Sequence, residues 1–298
     1  MEAFQSQARS IFSPLLIDSY ASDIPSPKAV FTVLGSEIDP QWVISADEWA
    51  PSTIPALHVK HQTKYKSFHW SLQPLKFHGY NETNFELNRL WIWEWPEEGN
   101  EYAVSLDGAK GLGKDRTVLE VIKKATPLSR PVQVAEFASD SISVGEILPI
   151  WLMLLKLYSV RSASKINWAQ AAPEMAAGGD VVMQELIKLG WPNYYVRTAT
   201  DRATTEVSGR PQIGFETNGR SRDYLVSWLI QFLRKKMVKI NSPWLVDEMR
   251  NFVRKEGLTK ERIEHDSGFH DDRLFAFGIG LVAVLISLLA LAIKYLFT

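Results

Sequence analysis

The segment EYAVSLDGAKGLGKD, from Glu101 to Asp115, carries the first chemical signal in the chain. GAKGLGKD nearly spells GxxxxGK[ST], the loop whose backbone N–H groups cradle nucleotide phosphates. The position that must offer a hydroxyl to Mg²⁺ is instead Asp115, an anion where phosphates would sit. A phosphate loop must also open a helix, and the next segment, TVLEVIKK, is β-branched and alternating. No nucleotide is therefore expected. The loop reads as a hairpin turn, with Asp107 closing one strand and Asp115 opening the next.

Asp107 needs an explanation of its own. In EYAVSLD, Tyr102, Val104 and Leu106 fall on one face and Ala103, Ser105 and Asp107 on the other. A lone carboxylate at the end of a buried strand is costly without a partner. Further acids stand at comparable places. Glu174 follows the strand candidate INWAQAAP, and Asp271 and Asp272, preceded by His270, open the last apolar segment. Singly, each has a plain structural role, as turn cap or helix-dipole complement. Jointly they put carboxylates at the ends of two strands and a pair on the final helix. His58, His61, His69 and His78 are spaced unlike any compact metal site and have no cysteine or carboxylate cluster beside them.

The elements that must position these acids follow from hydrophobic period. RLWIWEW, EYAVSLD, TVLEVIKK and PVQVAEFA alternate and read as strands, the run closing as an antiparallel meander. From Val144 to Tyr158 the period becomes helical, with Ser143 as the expected N-cap. INWAQAAP is a short strand, and Gly179 to Leu189 a helix stopped by Gly190. A hairpin spans Tyr194 to Phe215. Helices follow at Arg220 to Met237 and Pro243 to Arg254, then the apolar tail. The pattern predicts an α/β fold, a mixed sheet flanked by helices on both faces. Residues 1–87, rich in proline, read as an extended N-terminal segment, and residues 88–298 as the folded domain.

The chain has 298 residues, a net charge of −1 and no cysteine. This excludes a disulfide framework, a thiolate zinc site and a cysteine nucleophile. It also excludes a uniformly basic nucleic-acid binder, though not local basic patches. From Leu274 to Ile293 no residue is charged, which by length alone suggests a membrane span.

Five segments together resemble the nuclease part of the large terminase subunit of tailed bacteriophages, an RNase H-like domain. RLWIWEWPEEGNEYAVSLDGAKGLGKDRTVLEVI is similar to the family's strand ending in the first catalytic Asp, with its Gly-rich turn and second Asp. EMAAGGDVVMQELIKLGWPNYY resembles the segment with the catalytic Glu, though it lacks the Asn that often follows. GFETNGRSRDYLVSWLIQFLRKKMVKI, LVDEMRNFV and GFHDDRLFA resemble the remaining motifs, the last being the closing His-Asp-Asp. MEAFQSQARSIFSP resembles the phrase that closes the family's ATPase part, so the resemblance implies a nuclease lacking its motor domain.

The resemblance implies a fold with three antiparallel strands followed by parallel additions. It also implies an endonuclease that cuts concatemeric viral DNA during packaging. Its implied cofactor is a pair of Mg²⁺ or Mn²⁺ ions, which can activate water and stabilise the charge of phosphodiester cleavage. The implied ligands are Asp107, Glu174, Asp271 and Asp272, with His270 near the leaving group and Asp115 secondary. Double-stranded DNA is the implied substrate, and Lys110, Lys114, Arg116, Arg220 and Arg222 are the residues expected to meet its phosphates. Arg197, Arg202 and Arg210 in the hairpin, and Arg234 to Lys239, are further cationic positions. The implied partners are the terminase ATPase, the small terminase subunit and the portal, in the cytoplasm of a bacterial host. Two alternatives remain at this stage: an inactive fragment that docks on portal or ATPase, and a tail-anchored membrane protein. If Asp271 and Asp272 stand beside Asp107, the helix is fixed to the sheet as far as about Leu285. The remainder, Ile286 to Thr298, then rises only roughly 20 Å at 1.5 Å per residue, short of a ~30 Å hydrocarbon core.

Overall fold

The computed structural model describes residues 9–37, 59–62, 67–80, 86–109, 115–126, 129–161, 165–176, 178–197, 212–255, 262–266 and 269–296. The strands are β1 (Arg9–Ser10), β2 (Ala29–Glu37), β3 (Val59–Gln62), β4 (Ser67–Leu75), β5 (Arg89–Ile92), β6 (Tyr102–Asp107), β7 (Thr117–Lys123), β8 (Val132–Ser139), β9 (Val160–Arg161), β10 (Ile166–Asn167), β11 (Gln170–Pro173), β12 (Phe252–Lys255) and β13 (Arg262–His265). The helices are α1 (Pro14–Ala21), α2 (Leu148–Leu157), α3 (Gly179–Lys188), α4 (Gly219–Arg234), α5 (Pro243–Arg250) and α6 (Asp272–Leu296).

An eight-stranded sheet in the order β11-β6-β7-β8-β5-β2-β4-β3 forms the frame. β6, β7 and β8 make the expected antiparallel meander. β11 then adds parallel to β6 on the meander's outer side. Three antiparallel strands with a parallel fourth beside the first is the RNase H-like arrangement. β5 joins at the far side of β8. The sheet continues through β2 and β4, so the expected boundary at residues 87 and 88 falls between strands of one sheet. Proline masked this in the sequence, yet Pro74 sits within β4, opposite Phe31 of β2.

Alternation along β6 divides the core as the sequence implies. Val104 and Leu106 face the layer made by α2 and α3, where Trp151 Nε1 donates to the Val104 carbonyl at 3.1 Å. α2 is buried on every side and begins at Leu148, with Ile147 as its cap. Ser143 is not the N-cap: it bonds Glu146 in the turn before the helix, through N–H at 3.1 Å and Oγ at 2.8 Å. α3 ends as expected, with Gly190 and Trp191 donating back to Ile187 and Leu186.

Ala103 and Ser105 face the opposite layer, built from α1, α4, α5 and α6. α6 lies directly on β6 and β7. Ser105 Oγ donates to the Ala276 carbonyl at 2.6 Å. At Gly280 the helix comes so close that a Cβ would stand 2.8 Å from Ser105 Oγ and 2.9 Å from Ile122 Cγ1. Leu274, Phe277, Ile279, Leu281 and Val284 are buried in this contact. Among the described residues, no helix is long and apolar enough to cross a membrane.

Candidate functional site

The parallel register of β11 and β6 builds the first half of the site. Pro173 pairs with Leu106, and the Glu174 N–H donates to the Leu106 carbonyl at 2.7 Å. Glu174 therefore leaves its strand level with Asp107. Burial, above all, and then the neighbouring Glu174 carboxyl hold the Asp107 carboxyl well above its usual range; Asp272 and Asp271 add to the effect. The turn after Glu174 is tight. A Cβ at Gly179 would meet the Glu174 carbonyl oxygen at 1.7 Å, so the start of α3 can approach the acid only with glycine there.

α6 supplies the second half. Asp271 and Asp272 stand at its N-terminus, which the macrodipole makes favourable for anions. Burial raises the Asp272 pKa to about 6, with Asp271 and Asp115 adding repulsion and the Arg116 N–H opposing it at 3.0 Å. His270 Nδ1 lies 3.4 Å from Asp272 Oδ2. Asp271 pairs with Arg222, whose Nη2 is 3.4 Å from Oδ2. Asp115 is exposed at the start of β7.

The expected phosphate-binding cations divide into three groups. Lys110 and Lys114 lie outside the described residues, as do Arg202 and Arg210. Arg220 is exposed in the first turn of α4, where the Asn218 side chain accepts its N–H. The others turn towards protein. Arg116 pairs with Glu86 at 2.8 Å and approaches Glu248 at 3.9 Å. Arg222 donates to the Ile263 carbonyl at 2.8 Å and lies over the Phe275 ring. Arg197 donates to the Gly214 carbonyl and pairs with Glu216.

Sequence reasoning missed a buried polar cluster behind α6. Arg273 is fully buried and contacts Glu136 at 2.9 Å and Glu248 at 3.3 Å. Glu136 faces Glu120 across β7 and β8, and Gln133 Nε2 donates to both. Burial first, then the Glu136 charge, pushes the Glu120 carboxyl well up. The available signal was the Arg that directly follows the two acids in HDDR.

All four acids offer only carboxylate oxygens, the donors that hard divalent cations take. A carboxyl held above its usual range, as Asp107 is, must give up its proton when a cation binds. Among the described residues, no group of three His, Cys, Asp or Glu side chains is arranged so that it could hold a metal ion. The α6 pair is turned instead to Arg222, His270 and the Arg116 N–H.

No protein-family model matches the sequence, and no curated protein matches it. Large terminase nucleases are among the solved structures similar to this chain. The nuclease from thermophilic phage G20c with bound magnesium is 16% identical, over 64% of this chain and 85% of that one, with a TM-score of 0.47. The nuclease domain from Thermus phage P74-26 is 16% identical over 64% of this chain and 83% of its own, with a TM-score of 0.45. The P22 nuclease domain is 12% identical over 63% and 84%, with a TM-score of 0.40.

Proposed function

We propose that this chain is a metal-dependent DNA endonuclease of the large-terminase type, cutting concatemeric viral DNA during genome packaging. One observation carries the reading: Asp107 and Glu174 end level on adjacent parallel strands, and Asp271 and Asp272 open the helix that lies on β6. Without a bound cation that arrangement is repulsive, since like charges this close raise one another's pKa. Folds keep such strain chiefly at functional sites.

In this reading Asp107, Glu174, Asp271 and Asp272 hold two Mg²⁺ or Mn²⁺ ions. Bound there, the ions supply charge neutralisation for the attacked phosphate and an acidified water. The protein's own groups do the rest. β6 and β11 present Asp107 and Glu174 side by side. Arg222 orients Asp271, and the Arg116 N–H orients Asp272. His270, 3.4 Å from Asp272, is assigned to position or pass a proton at the leaving oxygen. Arg220, exposed in the first turn of α4, would meet a phosphate, and Lys110 and Lys114 are assigned the same role. The substrate is double-stranded DNA, and the partners are the terminase ATPase, small subunit and portal in the bacterial cytoplasm.

The test is Mn²⁺-dependent nicking of supercoiled plasmid. The wild type is expected to nick and Asp107→Ala to lose at least about 10³-fold, the scale of a lost essential catalytic contact. No nicking by the wild type, or equal nicking by the variant, sinks the reading.

A further inference from the structure

Asp271 and Asp272 open α6, so the seat of that end of the helix decides where they stand relative to Asp107 and Glu174. The residue directly after Asp272 is placed to fix that seat from the other side. Arg273 is wholly buried in the layer between α6, the sheet and α5. Its Nε donates to Glu136 Oε1 of β8 at 2.9 Å and its Nη1 to Glu248 Oε1 of α5 at 3.3 Å. Its guanidinium also lies over the Trp244 ring, with 5.8 Å to the centroid.

Both acceptors are themselves fixed. The other oxygen of Glu248 accepts the Leu274 N–H at 3.0 Å, capping the first turn of α6. Glu136 is held through Gln133, whose Nε2 bridges it to Glu120. The Gln133 Oε1 accepts the N–H groups of Asn241 at 2.9 Å and Ser242 at 2.8 Å, where the chain enters α5. Three elements are thus closed into one ring through Arg273. A buried ionic cluster is a poor source of stability, and apolar residues of the same volume serve as well or better. What it supplies is register: a guanidinium pinned to two carboxylates fixes one rotation of the helix, which a leucine would not.

We infer that Arg273 is the positioning residue of the carboxylate site, and that its pairing with Glu136 and Glu248 holds Asp271 and Asp272 against Asp107 and Glu174. This deepens the nuclease reading and rests on it. Arg273 touches no substrate; it acts through the backbone it shares with Asp272.

The experiment is a Mn²⁺ titration of the full chain, followed by the electron paramagnetic resonance signal of free Mn²⁺, with thermal melting of the same samples. Arg273→Lys keeps the charge but loses the fork; Glu136→Gln keeps the shape but loses the charge. The expected result is folded variants whose Mn²⁺ affinity falls by about tenfold or more, the range seen when groups supporting metal ligands are lost. Nicking is expected to recover at saturating Mn²⁺, so the loss appears in the metal requirement and not in the maximal rate. If one variant fails to fold, the other carries the test; if neither folds, or if both fold and bind Mn²⁺ as the wild type does, Arg273 serves stability alone and the inference is overturned. Wild type that binds no Mn²⁺ overturns the nuclease reading itself, a different outcome on the same titration.

Discussion

The Glu174 N–H donates to the Leu106 carbonyl at 2.7 Å, which sets Glu174 level with Asp107 at the ends of two parallel strands. Burial and the neighbouring acid hold the Asp107 carboxyl well above its usual range, and Asp272 is raised from 3.8 to about 6. The fold therefore binds protons that the unfolded chain releases. A group of this kind stabilises the fold below its unfolded pKa and loses that contribution as pH rises through its folded pKa. In metal-free protein, the Asp272 contribution is expected to fade between about pH 4 and pH 6. The measurement is the melting temperature of wild type minus that of Asp272→Asn across that range. A difference that rises with pH contradicts the sign.

Removing the repulsion should stabilise the fold while abolishing function. Asp107→Asn is expected to raise metal-free stability by about 0.5–2 kcal/mol, the usual gain when a strained functional group is relieved. The gain should vanish or reverse once Mn²⁺ is added, because only the wild type then gains binding energy. Denaturant melts with and without Mn²⁺ check both halves.

Gly280 tests the seat of α6. An added methyl would press on Ser105 Oγ and Ile122 Cγ1, both held in the sheet core. Gly280→Ala is expected to destabilise by about 1–3 kcal/mol, as overpacking does. It should also raise the Mn²⁺ needed for half-maximal nicking, since the displaced helix carries Asp271 and Asp272. An unchanged metal requirement in a destabilised variant would separate packing from site geometry.

Arg220 and Arg222 differ by two positions and should differ in kind. Arg220 is exposed, while Arg222 is held by Asp271, the Ile263 carbonyl and the Phe275 ring. Arg220→Ala is expected to weaken DNA binding and reduce the salt dependence by about one phosphate contact. Arg222→Ala is expected to leave that slope unchanged and weaken Mn²⁺ binding instead. Fluorescence anisotropy with a DNA duplex at several salt concentrations distinguishes the two.

Much of the frame was legible because the runs read as strands form β6, β7 and β8, buried on both faces between two helical layers. Asp107 was legible for the same reason: a charge at the end of an apolar strand has few explanations. The buried cluster was not. Strict alternation puts Gln133 and Glu136 on opposite faces, yet a register shift beside Val121 and Ile122 lets Gln133 reach Glu136 and Glu120 together. An irregularity of that kind leaves no mark on hydrophobic period. The role of Arg222 was illegible too, because a charged residue on a helix looks the same whether it faces solvent or another element's carboxylate.

Ser105 and Ala276, which join β6 to α6, are 171 residues apart in the chain. Contacts of such long range form late, because the entropy of closing the intervening loop must be met first. The carboxylate set is therefore incomplete on any nascent chain that has not yet released α6 from the ribosome. The last two acids of the set join the first two only once α6 has docked on β6.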